Sequence, residues 1–457
     1  SKTFIGRVMA IQKLHWTPNL SQQPIVGKDN ALKSYFIWTI GCQMNTADSN
    51  RLGSALQQMG LSEASSMKTA DVVILNSCVV RQSAEDKVTG TLGLLKPVKT
   101  NNPGSIIALM GCMVGPKTEE LAERFKHVDV FMQPQQYEPL LNLLGERLGI
   151  DPEGCLGTLT DINADVTSFI PIIQGCDYFC SFCIIPYRRG RQASRPLQDI
   201  LHEAELLTAR GVREVTLLGQ TVDAYGLDIP GEGDLADLLC GLQEVQGLDR
   251  IRFLTSHPLH MSDKIIQAVA ELPKVCEHIN LPIQAGDDDV LAAMRRPYTT
   301  DDYLRIIDKI RTTVPGVGLS TDLIVGFCGE SDAAFRASYD LLEATRFDKV
   351  HVAQYSGREG TIADRTLVDD VPQEEKKRRL MAVDALQEQI STGINAQLLN
   401  QTMEVLVEAQ DKGKWKGRTR TDKLVFFEDE RDFHGHMTQV KITKTSPWSL
   451  QGMPVTD

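Results

Sequence analysis

The chain has 457 residues with 42% apolar and 24% charged composition, which suits about three ordinary globular domains of ~150 residues each. No window approaches about 18 uninterrupted apolar residues, and the N-terminal stretch with Lys13 and His15 lacks the apolar core of a secretory leader, so neither a membrane span nor secretion is expected. A net charge of −12 excludes a uniformly basic surface, and ten cysteines without a leader point to cytoplasmic thiols kept reduced for metal or catalysis.

Residues 1–34, with Pro18 and Pro24, read as an irregular extension. From 35 to 150 the runs YFIWTI (35–40), VVIL (72–75), IIALM (106–110) and VDVFM (128–132) read as buried strands. Helical patterns at 46–60, 81–95 and 136–148 separate or follow them, so the fold class is α/β with an N-terminal parallel βα sheet domain. A second series occupies 160–390, with candidate strands FIPII (169–173), EVTLLG (214–219), RIRFLT (250–255), HINLPI (278–283), LSTDLIVG (319–326) and KVHVAQY (349–355). Helical patterns at 197–210, 234–244, 301–313 and 332–345 lie between them. Six βα repeats predict an incomplete (βα)6 barrel, with its chemistry at the strand C-terminal ends. A charged helix at 373–397 leads to a strand-rich segment, 391–457, that suits a small antiparallel β-barrel.

The segment GCDYFCSFCIIPYRRGR sets Cys176, Cys180 and Cys183 at C-x3-C-x2-C spacing just beyond a predicted strand. Three thiolates in one loop can hold three irons of a 4Fe–4S cubane and leave the fourth iron open to a small chelating cofactor. The competing readings are zinc, which wants four ligands in a structural site, and cysteines that are small buried hydrophobes. The nearest histidine, His202, falls on a predicted helix well past the loop.

Cys42, Cys78 and Cys112 are separated by 36 (78 − 42) and 34 (112 − 78) residues, each about one βαβ unit, and each follows a predicted strand. In a parallel sheet those strand ends open into one crevice, so the three thiols can hold a second cluster; three unrelated buried cysteines are the alternative.

The three-cysteine loop, with Phe182 before its last cysteine, resembles the radical-SAM superfamily, whose open iron binds S-adenosylmethionine (SAM). TIGCQMNTADS, LNSCVVRQSAEDK, MGCMV, LLGQTVDAYG, LPIQAGDDDVLAAMRR, STDLIVGF and YSGREGT extend that likeness to the methylthiotransferase family. The GCQMN and NSC-x-x-R forms resemble its tRNA branch (MiaB-type) more than its ribosomal-protein branch (RimO-type). The resemblance implies two 4Fe–4S clusters: an auxiliary one on Cys42, Cys78 and Cys112, and a radical-generating one on Cys176, Cys180 and Cys183. It also implies SAM as methyl donor and radical source. The reaction would place a methylthio group at C2 of N6-isopentenyladenosine beside the anticodon, where an unactivated C–H bond demands a radical. Expected partners are the tRNA anticodon stem-loop and an electron donor such as flavodoxin or ferredoxin, with the enzyme a cytoplasmic monomer. A substrate of N6-threonylcarbamoyladenosine or a ribosomal protein, and a non-enzymatic zinc-bearing RNA-binding protein, are the rival readings.

Cofactor contacts are expected from Phe182, Gly219 and Gln220, the last two matching the radical-SAM position that meets the SAM amino group, although a plain turn is possible there. Gln284 and Asp322, at predicted strand ends, would bind ribose or carboxylate, or else cap helices. Arg188, Arg189 and Arg191 beside the cysteine loop would hold RNA backbone, or be solvated. Lys412, Lys414, Lys416, Arg418 and Arg420 surround Trp415 in a stretch that resembles a TRAM domain; cations for phosphate and an aromatic for a base predict an RNA grip, against a merely soluble hairpin. The histidine pairs His257/His260 and His434/His436 read as structural. Asn280, Ala285, Cys328 and Gln192 depart from residues usual in the family (His, Ser, Pro and Glu), and Cys155, Cys240, Cys276 and Cys328 read as structural.

Overall fold

The computed structural model describes residues 32–79, 82–152 and 164–455. Residues 1–31 of the expected extension, Arg81 of the NSC-x-x-R segment and Cys155 lie outside the described residues. Strands β1 (Ser34–Thr39), β2 (Ser62–Glu63), β3 (Val72–Ser77), β4 (Ile106–Gly111) and β5 (Val130–Met132) form one parallel sheet in the order β2-β1-β3-β4-β5. Every residue of β3 and β4 is buried, as strands covered on both faces must be. Val72, Ile74, Ala108 and Met110 face the helices Gln43–Gln58 and Glu138–Leu148, while Val73, Leu75, Ile107 and Leu109 face the helix Gln82–Asn101. The period-2 alternation thus divides one apolar run between two cores. The edge strand β2 was not expected. The helix expected to stop at 95 continues through Pro97 to Asn101, its last turn tied down by Lys99, which donates to Ser105 O (2.6 Å) and pairs with Asp129 (2.7 Å).

The central domain carries β6 (Thr167–Pro171), β7 (Ile173–Gln174), β8 (Ala193–Ser194), β9 (Glu214–Leu218), β10 (Arg250–Phe253), β11 (His278–Asn280), β12 (Gly318–Val325) and β13 (Lys349–Gln354). Two parallel half-sheets, β6-β9-β10 and β11-β12-β13, meet through the parallel bridge Ile251↔Val275. The run FIPII splits between β6 and β7 because the chain leaves the barrel after Ile172, whose amide makes the last bond to Leu218 O (2.9 Å). β7 then pairs antiparallel with β8 and braces the cysteine loop between them. HINLPI stops as a strand at Asn280 because Pro282 has no N–H to donate. Gln192 explains its own departure: its amide donates to Asp228 Oδ1 and Ala224 O, both at 3.0 Å, and a Glu carboxylate could not.

The long helix Gln373–Ala396 leads to β14 (Thr402–Asp411), β15 (Lys414–Thr419), β16 (Leu424–Phe427), β17 (Met437–Thr445) and β18 (Leu450–Pro454), a closed barrel in the order β14-β15-β16-β18-β17. It is antiparallel apart from the pair β16 and β18. Among the described residues no helix is long and apolar enough to cross a membrane.

Candidate functional site

Cys42, Cys78 and Cys112 open the loops after β1, β3 and β4, three neighbours in the sheet. The register pairs Ser77 with Gly111, and the Cys112 amide donates to Ser77 O (2.9 Å), so two thiols leave adjacent strand ends. Gly111 has φ +96°, and a Cβ there would lie 2.4 Å from both Asn76 Oδ1 and Ser77 O. A side chain at this position would push the strands apart under the thiols. Gly111→Ala is therefore expected to lose most of the iron held by this triad; iron analysis of the variant in a chain lacking the other three cluster cysteines checks it, and full iron retention refutes it. Two buried asparagines fix the surrounding loops. Asn45 Nδ2 donates to Asn76 Oδ1 (3.0 Å) and Ser77 O (2.8 Å), while Asn76 Nδ2 donates to Asn45 O (2.7 Å) and Ser49 Oγ (2.9 Å). Burial pushes the Cys112 thiol up to about 11; Arg189 pulls it down and neighbouring Cys42 and Cys78 push it further up. The metal-free Cys112 thiol is thus held protonated, and a bound metal would displace its proton.

The second triad lies in the loop between β7 and the short helix Ile185–Arg189. Cys176 Sγ is 3.5 Å from Thr221 Oγ1, and Cys180 Sγ accepts from Arg296 Nη1 at 3.4 Å. Ser181 pins the loop to the barrel through its Oγ to Ala293 O (2.7 Å) and its amide to Met294 O (3.0 Å). Burial drives the Cys183 thiol up to about 12, with Cys180 and Cys176 adding to the rise. Tyr178, inside the loop, stacks on His257 with ring centres 4.2 Å apart and hydrogen-bonds His260 Nε2 at 2.5 Å. His257 in turn offers its amide to both oxygens of buried Asp223 (2.9 and 2.8 Å), whose carboxyl burial raises to about 8. The histidines at 257 and 260 thus wall the cysteine loop through Tyr178.

Gly219, beyond β9, approaches so closely that a Cβ would sit 2.2 Å from Ile173 Cγ2. Beside it, Gln220 Oε1 is buried without a protein partner, an acceptor in want of a donor such as an amino group. Gln284 holds φ +74°, rare for a side-chain-bearing residue, with its amide on Asp322 O and its carbonyl accepting from Ile324 N, both at 2.9 Å. Asp322 is half-buried on β12, and Phe182 packs on the barrel core. Thr221 and Arg296 meet thiols yet were not anticipated; Arg296 lies in the quoted MRR segment, whose arginines signal nothing by themselves.

The elements that follow the two cysteine sets pack against each other's domains. Met44 and Ala47, in the helix after Cys42, form an apolar cluster with Leu218, at the end of β9, and with Phe169 and Leu254. Ile184, Ile185 and Tyr187, after Cys183, pack in turn on the first domain's core. Arg189 crosses the boundary to pair with Asp48 at 3.1 Å, the two side chains 1% and 0% exposed. This corrects the expectation that Arg189 grips RNA: burial leaves no face for a phosphate. Arg191 remains exposed, paired with Asp177 at 2.9 Å. Among the described residues no group of three or more His, Cys, Asp or Glu side chains is gathered closely enough to hold a single metal ion.

In the C-terminal barrel the basic stretch is reduced. Trp415 is buried, its Nε1 donating to Asp429 O (3.2 Å) and Arg431 O (3.1 Å), so it cannot stack a base. Arg420 is turned inward to Glu277 Oε1 (2.7 Å) and Val275 O (2.6 Å), and Arg418, on the outer face of β15, is paired with Asp422 Oδ1 (3.1 Å). Lys412 is exposed, and Lys414 and Lys416 lie half-exposed on the outer face of β15, Lys414 paired with Glu428 at 2.9 Å.

Three family profiles match: Radical SAM superfamily over residues 170–342, Uncharacterized protein family UPF0004 over 34–133, and TRAM domain over 396–455. The chain is 47% identical to the tRNA-2-methylthio-N(6)-dimethylallyladenosine synthase of Roseiflexus sp. (strain RS-1), covering 92% of this chain and 89% of that protein. It belongs to the radical-SAM methylthiotransferase family. A synthase of the same name from Chloroflexus aurantiacus is 46% identical over 95% of both chains. The fold is also that of the radical SAM methyltransferase TsrM from Kitasatospora setae, solved with cobalamin and a 4Fe–4S cluster; TM-score is 0.53 at 15% identity, over 71% of this chain and 75% of that one. As a radical-SAM methylthiotransferase, the chain is an enzyme that works with an iron–sulfur cluster and SAM.

Proposed function

We propose that this enzyme inserts a methylthio group at C2 of N6-isopentenyladenosine beside the tRNA anticodon, with two 4Fe–4S clusters and SAM. The observation that supports the reading is that the helix after Cys42 packs on the end of β9 and that Arg189, after Cys183, pairs with Asp48 across the domain boundary. The names of the relatives, which share nearly the whole length, support the substrate. The domains would be 35–150 for the auxiliary cluster, 160–390 for the radical-SAM core and 391–457 for RNA.

Cys176, Cys180 and Cys183 would hold the radical-SAM cluster, and Cys42, Cys78 and Cys112 the auxiliary one. SAM bound at an open iron supplies the radical chemistry that removes hydrogen from an unactivated carbon. The chain's own part is placement and exclusion of water. Gln220 Oε1 would accept from the SAM amino group, with Gly219 giving backbone access. Gln284 and Asp322 would line the same mouth from the opposite half-sheet. Because an electron must enter, an external one-electron donor of the flavodoxin or ferredoxin kind belongs to the reaction. The nucleoside content of tRNA from cells with and without the gene tests the substrate: methylthio-isopentenyladenosine should vanish without it, and an unchanged profile rejects the reading.

Lys412, Lys414 and Lys416 would meet the anticodon-arm backbone. Changing Lys412 and Lys416 to Gln should weaken tRNA binding and flatten its salt dependence, lowering the slope of log affinity against log salt by roughly 1 to 2. Binding titrations at several salt concentrations measure this, and an unaltered slope removes these lysines from the interface.

A further inference from the structure

Arg189 ends the helix that follows Cys183, and Asp48 lies early in the helix that follows Cys42. Their ion pair is therefore made of one charge from each cysteine loop. A pair that only fastened two domains would have its donors and acceptors satisfied across the joint. This one does not: Arg189 Nη1 and Asp48 Oδ1 are both buried with no protein hydrogen-bond partner. After Asp48, the groups acting most strongly on the guanidinium are the first-triad thiols of Cys112, which its side chain also contacts, and Cys42. The guanidinium thus lies beside thiols of the first triad although it is carried by the other loop. The adjacent Arg188 leans the same way, its Nη1 over Gly115 just beyond Cys112.

A buried N–H without an acceptor is costly to keep unless something electron-rich occupies the space beside it. An iron–sulfur cluster, whose sulfurs accept hydrogen bonds and whose reduced form carries one more negative charge, is such a partner. Hydrogen bonds to sulfur and nearby positive charge raise a cluster's potential by favouring the reduced form. We infer that Arg189 is a positioning residue for the auxiliary cluster, donating through Nη1 to a sulfur there and raising its potential, while Asp48 holds the guanidinium and offsets part of its field. The inference rests on the reading that Cys42, Cys78 and Cys112 hold a cluster.

The test uses the full-length chain with Cys176, Cys180 and Cys183 changed to Ala, reconstituted without oxygen, so that only auxiliary iron remains. Iron analysis and an EPR-monitored redox titration are run on this parent and on three variants. Arg189→Met should lower the midpoint potential, Asp48→Asn should raise it, and Arg189→Lys, which keeps the charge, should stay close to the parent. Opposite signs are the decisive result, since loosened packing would move both variants the same way. Shifts of one sign, or none, with iron retained would overturn the inference and leave the cluster reading intact. A parent without iron would remove the cluster reading and the inference together. If Arg189→Met fails to fold, Asp48→Asn against Arg189→Lys still decides: a raised potential in the first alone supports it, and equal potentials overturn it.

Discussion

Changing Cys176, Cys180 and Cys183 together to alanine is expected to reduce bound iron from about eight to about four atoms per chain, and to abolish both SAM cleavage and methylthiolation. The two triads sit on different elements, one set at three strand ends of the N-terminal sheet and the other within a single loop. The auxiliary loops are held by Asn45, Asn76 and Ser77, none of which depends on the second triad, so their iron should survive its loss. The mirror variant, with Cys42, Cys78 and Cys112 changed, should also keep about half the iron. It should still cleave SAM to 5′-deoxyadenosine, yet make no methylthio product. Anaerobic iron and sulfide analysis together with product chromatography measures all four quantities. Loss of all iron from either variant would mean that the six thiols form one linked site. Methylthio product from the mirror variant would separate the first triad from the reaction.

The placement of the two cysteine sets was legible in the sequence for a physical reason. Cys78 and Cys112 follow their strands directly and Cys42 follows β1 by a few residues, so sheet topology alone carries them to one edge. The other loop is local and needs no topology. What could not be read is where charge goes when domains close. Arg189 stands in a run of arginines that looks solvated, and its partner Asp48 is 141 residues away in the chain. Arg296 reaches Cys180 across 116 residues, again with no local sign. Trp415 is a different kind of miss. KWKGRT alternates, and once Lys414, Lys416 and Arg418 are taken as outward, period 2 turns Trp415 into the barrel. The signal was present there, and reading the stretch as a binding patch obscured its strand pattern.

The largest expected effect outside the thiols is at the joint between the central domain and the C-terminal barrel, where Arg252→Met should destabilise the chain by about 3–5 kcal/mol. Arg252 and Arg250 project from β10 into the C-terminal barrel. Arg252 Nη2 donates to Thr419 O (2.7 Å) and Nη1 to Arg420 O (2.8 Å), while Arg250 Nη1 donates to Arg418 O (2.7 Å). These acceptors are the backbone of β15 and of the turn after it, the element that presents Lys414 and Lys416. Arg252 also pairs with Glu214 at 2.9 Å, both side chains nearly sealed from water. Removing the guanidinium leaves a buried carboxylate alone and the Arg420 carbonyl without its donor, while Thr419 O keeps only the Asp422 amide (3.1 Å), which is why the effect exceeds that of a surface pair. Replacing Glu214 by Gln in the same chain should recover part of the loss, because the orphaned charge is then gone. Denaturant unfolding of the two single variants and the double variant gives the coupling directly. A single variant losing less than about 1 kcal/mol, the scale of an exposed ion pair, would show that the joint does not depend on Arg252. Function should divide along the same line: SAM cleavage, which uses the barrel mouth, should persist below the unfolding transition, while tRNA affinity falls because the lysines of β15 are no longer held in register with the site.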